Sequence, residues 1–158
     1  MALRILGAAI LSLCGVLFAA HLNRRAESRL RQVEGWISLL RFVKAQVECF
    51  SLPMSEILLR CDRAVLQSCG YPADIAPKSF SAMCEASTFC DAECVRIARA
   101  FAEEFGKGYR EEEMRGCDYY LAQLEAHKEM LAKKLPAQKK MNATLSICAA
   151  LALVLLLL

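Results

Sequence analysis

Two uncharged apolar runs stand at the ends of the sequence, residues 5–20 and 143–158, and apart from Arg4 every charged residue lies between them. Each run has 16 residues. As a helix rising about 1.5 Å per residue it covers about 24 Å, a little less than the roughly 30 Å hydrocarbon core of a bilayer. The first extends naturally through His21, Leu22 and Asn23; the second borrows Met141 and Asn142, with Lys139 and Lys140 reaching back to the interface. Both read as transmembrane helices, slightly short, for which local thinning of the bilayer or helix pairing is expected.

A cleaved signal peptide is the competing reading of the first run, with Arg4 as its cation and Ala19 and Ala20 as small residues. Arg24, Arg25, Arg29 and Arg31 follow at once, and a basic stretch in that place halts export. A retained anchor is therefore expected. Lys133, Lys134, Lys139 and Lys140 flank the second run in the same way. Cations at both inner ends place residues 24–142 in the cytoplasm. The net charge of +3 is modest and its cations cluster beside the apolar runs, which fits anionic headgroups as partner and not nucleic acid.

Nine cysteines are many for 158 residues. Cys14 and Cys148 lie in the apolar runs, leaving Cys49, Cys61, Cys69, Cys84, Cys90, Cys94 and Cys117. An odd, irregularly spaced set in a cytoplasmic segment reads as reduced thiols serving as small apolar side chains.

The middle is helical in period throughout. Leu30, Val33, Ile37, Leu40 and Val47 make a stripe interrupted by Lys44, widened by Trp36, Val43 and Phe50, with Gly35 the one weak helix former. Ser51, Leu52 and Pro53 mark a boundary, with Ser51 as cap. A second helix follows with Met54, Ile57, Leu58, Cys61 and Val65 on its apolar face. Cys69, Gly70, Tyr71 and Pro72 end it. Residues 80–86 form one or two helical turns. A third clear helix runs over 91–105, with Cys90, Cys94, Ile97, Phe101 and Phe105 on one face, and Gly106 and Gly108 break it. A fourth begins near Tyr109 or Arg110, with Glu111, Glu112 and Glu113 in its first turn, where carboxylates complement the helix dipole. It carries Met114, Cys117, Leu121, Leu124, Leu131 and Leu135 as its stripe, and Pro136 is expected to kink or break it. The expected fold is all-α: a small helical bundle over residues 24–142 between an N-terminal transmembrane helix, 1–23, and a C-terminal one, 143–158.

No set of residues builds an active site. Cys84, Cys90 and Cys94, with Cys117 as a fourth, are the best metal candidates, but there is no CxxC and no second close pair, and His21 and His127 are distant in sequence. His127 sits among Glu and Lys and is read as solvated. Gly106-Lys107-Gly108 is a turn, too short for a phosphate loop. Glu103, Glu104 and Glu111 to Glu113 read as a solvated face and a helix start, with an acidic docking surface as the alternative. Gly15 and Ala19 form a small-xxx-small pair suited to close helix packing. No catalytic, cofactor-binding or metal residue is assigned.

The order of these features resembles the stage III sporulation protein AB family. The residues that carry the resemblance are the first span running into Arg24-Arg25, and the stripe from Leu30-Arg31-Gln32 through Leu39-Leu40 to Glu48. Further on come Leu52-Pro53 with Glu56 and Leu58, the helix end over 101–106, Leu121, Leu124 and Glu125, and Lys140-Met141 before the second span. The resemblance implies a helical cytoplasmic domain similar to the F-type platform proteins of type II secretion. It also implies partners: a secretion-type ATPase and other membrane subunits of one mother-cell-to-forespore complex. A non-enzymatic platform without cofactor, in the mother-cell membrane facing the forespore, is thus expected; the alternative is a membrane-tethered cysteine-based metal-binding or redox-sensing protein. Where the family tends to open its last helix with Ser-Asp, this chain has Gly108-Tyr109, a weaker cap.

Overall fold

The computed structural model describes residues 2–50, 53–72 and 76–157, with side-chain surroundings for all of these but 2–6, 8–9, 11–12 and 153–157. All regular structure among the described residues is helical. The order is α1 (Ala2–Phe50), α2 (Met54–Arg60), α3 (Arg63–Ser68), α4 (Phe80–Ala86), α5 (Ala92–Glu104) and α6 (Arg110–Leu157). The chain divides into two compact units: Arg29–Met130, and Met1–Ser28 with Leu131–Leu158.

In the central unit, Arg29–Met130, the stripe of α1 is the spine of the core. Val33, Trp36, Ile37, Leu40, Val43 and Val47 are buried as their spacing predicts, and Leu39 joins them, so α1 is covered on more than one side. Ile57 and Leu58 of α2, Leu66 of α3, Met83 of α4, Ile97 and Phe101 of α5, and Leu124 of α6 close over it. Trp36 stacks on Phe89 at 5.7 Å and meets Phe80 at 5.9 Å, and Phe80 stands edge-on to Phe101 at 4.8 Å. Such ring pairs add about 0.5–1.5 kcal/mol each beyond their buried area. Phe50, expected in the stripe, ends the helix 60% exposed.

Charge fixes the register of α1 against α6 in this unit. Arg41 reaches Glu125 at 2.6 Å, Lys44 reaches Asp118 at 2.5 Å, and Glu34 receives Lys128 at 3.0 Å. The partners run in opposite directions, so the helices are antiparallel. Lys44, the interruption in the stripe of α1, and Lys128, which stands where the stripe of α6 skips from Leu124 to Leu131, are thus rungs between them. Exposed pairs add little stability; they select an alignment more than they stabilise one.

Two expected elements differ. The helix expected from Pro53 to Cys69 is two, because Cys61 turns extended (φ −70°, ψ 140°) and Asp62 caps a new start, its carboxylate accepting from the Ala64 N–H at 2.9 Å. Asp immediately after an apolar residue was a readable cap signal. The cap expected at Ser51 lies outside the described residues. Pro136 does not break the last helix, which runs unbroken from Arg110 to Leu157. A proline removes one ladder bond; Pro136 and Ala132, whose carbonyl loses its partner, are both exposed, and the surrounding Ala, Lys and Gln are good helix formers.

In the other unit, the first part of α1 and the last part of α6 pair antiparallel. Gly15 approaches the carbonyl of Ser146 and the Cβ of Ala150 so closely that a Cβ on it would stand 3.3 and 3.4 Å away. Farther along, Asn142 donates its amide to the Asn23 side-chain oxygen at 3.1 Å, and Lys139 meets Glu27 at 2.6 Å. Among the described residues no helix is long and apolar enough to cross a membrane. The expected spans, 1–23 and 143–158, fall partly outside the described residues: Met1 and Leu158 entirely, and many side chains of both runs.

Candidate functional site

Gln32 organises the polar centre of the Arg29–Met130 unit. It sits on the buried side of α1, 4% exposed. Its Nε2 donates to the carbonyls of Cys69 at 3.0 Å and Thr88 at 2.7 Å, and its Oε1 accepts from the Cys90 N–H at 2.7 Å. One amide thus satisfies both the turn after α3 and the loop between α4 and α5. The Thr88 N–H donates to Gly70 at 2.9 Å, joining the two loops directly. Gly70 has φ +89°, and a Cβ there would stand 2.4 Å from the Thr88 oxygen and 2.5 Å from Gln32 Nε2, so this turn accepts glycine alone. Arg29 Nε donates to the Cys90 carbonyl at 3.1 Å and continues the same clasp.

Next to it, Asp91 caps α5. Its Oδ1 accepts from the Cys94 N–H at 3.0 Å and meets His127 Nε2 at 2.7 Å. Burial alone would raise the Asp91 carboxyl. The Cys94 N–H, the His127 ring and the charge of Arg29 together outweigh it and hold the carboxyl below its ordinary range. His127 is 8% exposed, which corrects the expectation of a solvated histidine: α6 turns it inward onto the cap of α5. Its Nδ1 is buried without a hydrogen-bond partner. Glu125, Lys128 and Glu129 surround His127 in sequence, whereas its buried position follows from the spacing Tyr120, Leu124, His127 along one face of α6.

The cysteines do not converge. Cys84, Cys94 and Cys117 are buried and Cys90 is exposed. Among the described residues no three His, Cys, Asp or Glu side chains gather as a metal ion would require. Burial pushes the thiols of Cys61 and Cys84 up to about 11 and those of Cys94 and Cys117 up to about 12, and raises Cys69 well above its usual value. At neutral pH these groups are protonated and pack as small apolar side chains.

The glutamates at the start of α6 serve the helix start. Glu112 accepts from the Tyr109 N–H at 3.0 Å, the reciprocal half of a capping box, and Glu113 accepts from Gly106 and Gly108 at 2.9 and 2.8 Å. Arg110 adds a bond to the Glu48 carbonyl at the end of α1. Carboxylates reaching backwards thus supply what the missing Ser-Asp would have supplied. Glu103 and Glu104 are exposed on α5.

In the paired unit the distribution of side chains is inverted. The seam holds Gly15, Asn142 and Ser146, with Ala19 and Ala150 half-buried, while Leu13, Val16, Leu17, Phe18, Leu145, Ile147 and Leu151 point outward, each 57–63% exposed. The small-xxx-small pair Gly15 and Ala19 is therefore part of the helix contact. Exposed His21 lies apart from it.

Among the described residues all regular structure is helical, and the long first and last helices pair over a seam of small and amide side chains with apolar residues turned outward, which defines an all-α protein with a terminal helical hairpin. The chain belongs to the stage III sporulation protein AB family, whose sequence profile matches residues 80–158, the C-terminal half. The resemblance over 101–106, at Leu121, Leu124 and Glu125 and at Lys140-Met141 falls inside that stretch; the features of α1 and Leu52-Pro53 fall before it. Membership makes this a sporulation-associated protein. No curated protein and no solved structure matches the chain.

Proposed function

We propose that this protein is a non-enzymatic membrane platform subunit of the sporulation channel complex between mother cell and forespore. Its two ends insert as a helical hairpin, and residues 24–142 present a helical cytoplasmic surface to a secretion-type ATPase and to other membrane subunits. The inverted side-chain pattern of the paired unit carries this reading. A helix pair in water turns its leucines inward and its amides outward; this one does the opposite, which is the arrangement that stabilises a pair in lipid. The Asn23–Asn142 bond leaves neither of these amides without a partner at the inner end of the pair. The shortness of each apolar run is met by pairing and by flanking lysines and arginines at headgroup depth.

The buried clasp around Gln32, Asp91 and His127 supports a scaffolding role for the central unit, since its polar side chains are spent on holding loops and caps. The full chain, purified from membranes in mild detergent, is expected to retain the ATPase of the same complex or one of its membrane subunits. Recovery of the chain without any of them, under conditions that preserve the rest of the complex, removes the platform role. Reporters fused near Gly106 and at both termini test the topology; a cytoplasmic signal from either terminus overturns the two-span arrangement.

A further inference from the structure

Where α5 ends against the start of α6, an open pocket of about 180 Å³ is lined by Phe101, Phe105 and Tyr120 and by the carboxylates of Glu104, Glu112 and Glu113. Phe101 and Tyr120 are buried and Phe105 is half-buried. Centroid to centroid, Phe105 stands 4.9 Å from Phe101 at 42°, and Tyr120 stands 5.6 Å from Phe101 at 76°. The rings therefore form a corner and not a parallel slot. Glu112 gives one oxygen to the Tyr109 N–H, and Glu113 gives one to the N–H groups of Gly106 and Gly108, which leaves each a second oxygen. Among the described residues no lysine or arginine lines the pocket, and none of its three carboxylates is ion-paired. Glu34, Glu93, Asp118 and Glu125, by contrast, are all ion-paired.

We propose that this pocket binds an alkylammonium group, the end of a lysine side chain supplied by a partner protein. Aromatic faces and unpaired carboxylates both favour positive charge. The end of α5 favours it as well, being the negative end of a helix dipole, while the N–H groups leading into α6 are already answered by Glu112 and Glu113. Among the described residues no three acidic side chains gather as a metal ion requires, so a bare metal is the wrong occupant. A guanidinium stacks on a flat face; a compact ammonium suits a corner of rings. The space holds one aliphatic chain with its charged head, and Tyr109 beside it is 84% exposed, an uncovered ring for the partner's surface to rest on. The lysine's source rests on the platform reading given above; the preference of the pocket for ammonium does not.

The test is NMR of the full chain in detergent, read at the N–H groups of Gly106, Gly108 and Tyr109, which bond two of the pocket's carboxylates. n-Butylammonium, the lysine side chain alone, is expected to shift them saturably, and n-butanol and sodium chloride at the same concentrations are not. Phe105→Leu is expected to weaken binding about two- to fivefold, the share of one half-exposed ring. Gly116 also lines the pocket, and a Cβ there would meet nothing within 4 Å. Gly116→Leu therefore fills the space while keeping every charge, and is expected to block binding. Glu111→Gln removes a charge from the same helical turn outside the pocket and is expected to leave binding unchanged. Shifts that sodium chloride reproduces, or that survive Gly116→Leu undiminished, overturn the site. Acetyl-lysine methylamide is expected to bind at least as well as butylammonium; spermidine binding about tenfold tighter than both overturns the lysine and makes a free polyamine the occupant. A chain that binds butylammonium yet retains no subunit of the complex keeps the pocket and loses the platform reading, and the opposite result loses the pocket alone.

Discussion

Gly35 of α1 and Ser68, the last residue of α3, approach so closely that a Cβ on Gly35 would stand 2.4 Å from Ser68 Oγ and 2.7 Å from its carbonyl carbon. Helix propensity alone favours alanine over glycine in a helix interior by about 1 kcal/mol. Here the steric term wins, because the neighbouring atoms include backbone. Gly35→Ala is expected to destabilise the protein by about 1–3 kcal/mol, the usual cost of overpacking. Gly116 of α6 has nothing within 4 Å of the same position. Gly116→Ala is therefore expected to stabilise by about 0.5–1 kcal/mol. Thermal unfolding of both variants in detergent checks this; shifts of the same sign contradict the close approach.

Gln32→Leu removes two donors and one acceptor from backbone groups of two loops. Leucine fills most of the space, so the loss comes from the stranded Cys69 and Thr88 carbonyls and the Cys90 N–H. A cost of about 2–4 kcal/mol is expected, with faster amide exchange at Cys90. Unchanged exchange there would mean that the loop is held by something other than Gln32.

The carboxyl of Asp91 titrates below its ordinary value in the folded chain. A depressed folded value means that the stability it contributes is complete above the unfolded value, near pH 4, and is lost as pH falls through the folded one. Asp91→Asn keeps an acceptor for the Cys94 N–H but carries no charge toward His127. The variant is expected to lose stability at neutral pH and to show a shallower decline in acid. Melting temperatures of both proteins across the acid range decide it, and parallel curves would show that Asp91 is not linked.

Thiol labelling separates three classes of cysteine. Cys61, Cys69, Cys84, Cys94 and Cys117 are buried and protonated at neutral pH, so alkylation of the native chain is expected to be slow. Cys49 and Cys90 are exposed and label first. Cys14 and Cys148 are exposed on the paired unit. A charged, membrane-impermeant reagent is expected to modify them in detergent-denatured chain but to spare them in vesicles. Rapid labelling of Cys14 in intact vesicles contradicts insertion of the hairpin.

Much of this fold could be read from the sequence because its signals were local. The caps and glycines around α5, the start of α6 at Arg110 and the short helix α4 all depend on neighbours a few residues away. The break at Cys61 and Asp62 was equally local but masked by an apolar stripe that continued across it. Gln32, Asp91 and His127 were not legible as a group: their partners lie 36–58 residues away, and nothing in the sequence marks one glutamine in an amphipathic helix as buried. His127 looked solvated for the same reason, since the charges beside it in sequence occupy other faces of α6. The pairing of the terminal segments was hinted at by Gly15 and Ala19, but the register came only with Asn23 and Asn142 in contact.

That contact has a cost in time. Asn23 is made 119 residues before the amide that satisfies it, and at about 5–20 residues per second a ribosome needs roughly 6–24 seconds to supply the partner. Throughout that interval the first helix carries its amide and its small-residue face uncovered. A nascent chain of this kind depends on whatever shelters Asn23 until Asn142 is made, so slowing translation between the two should harm assembly more than slowing it before Asn23.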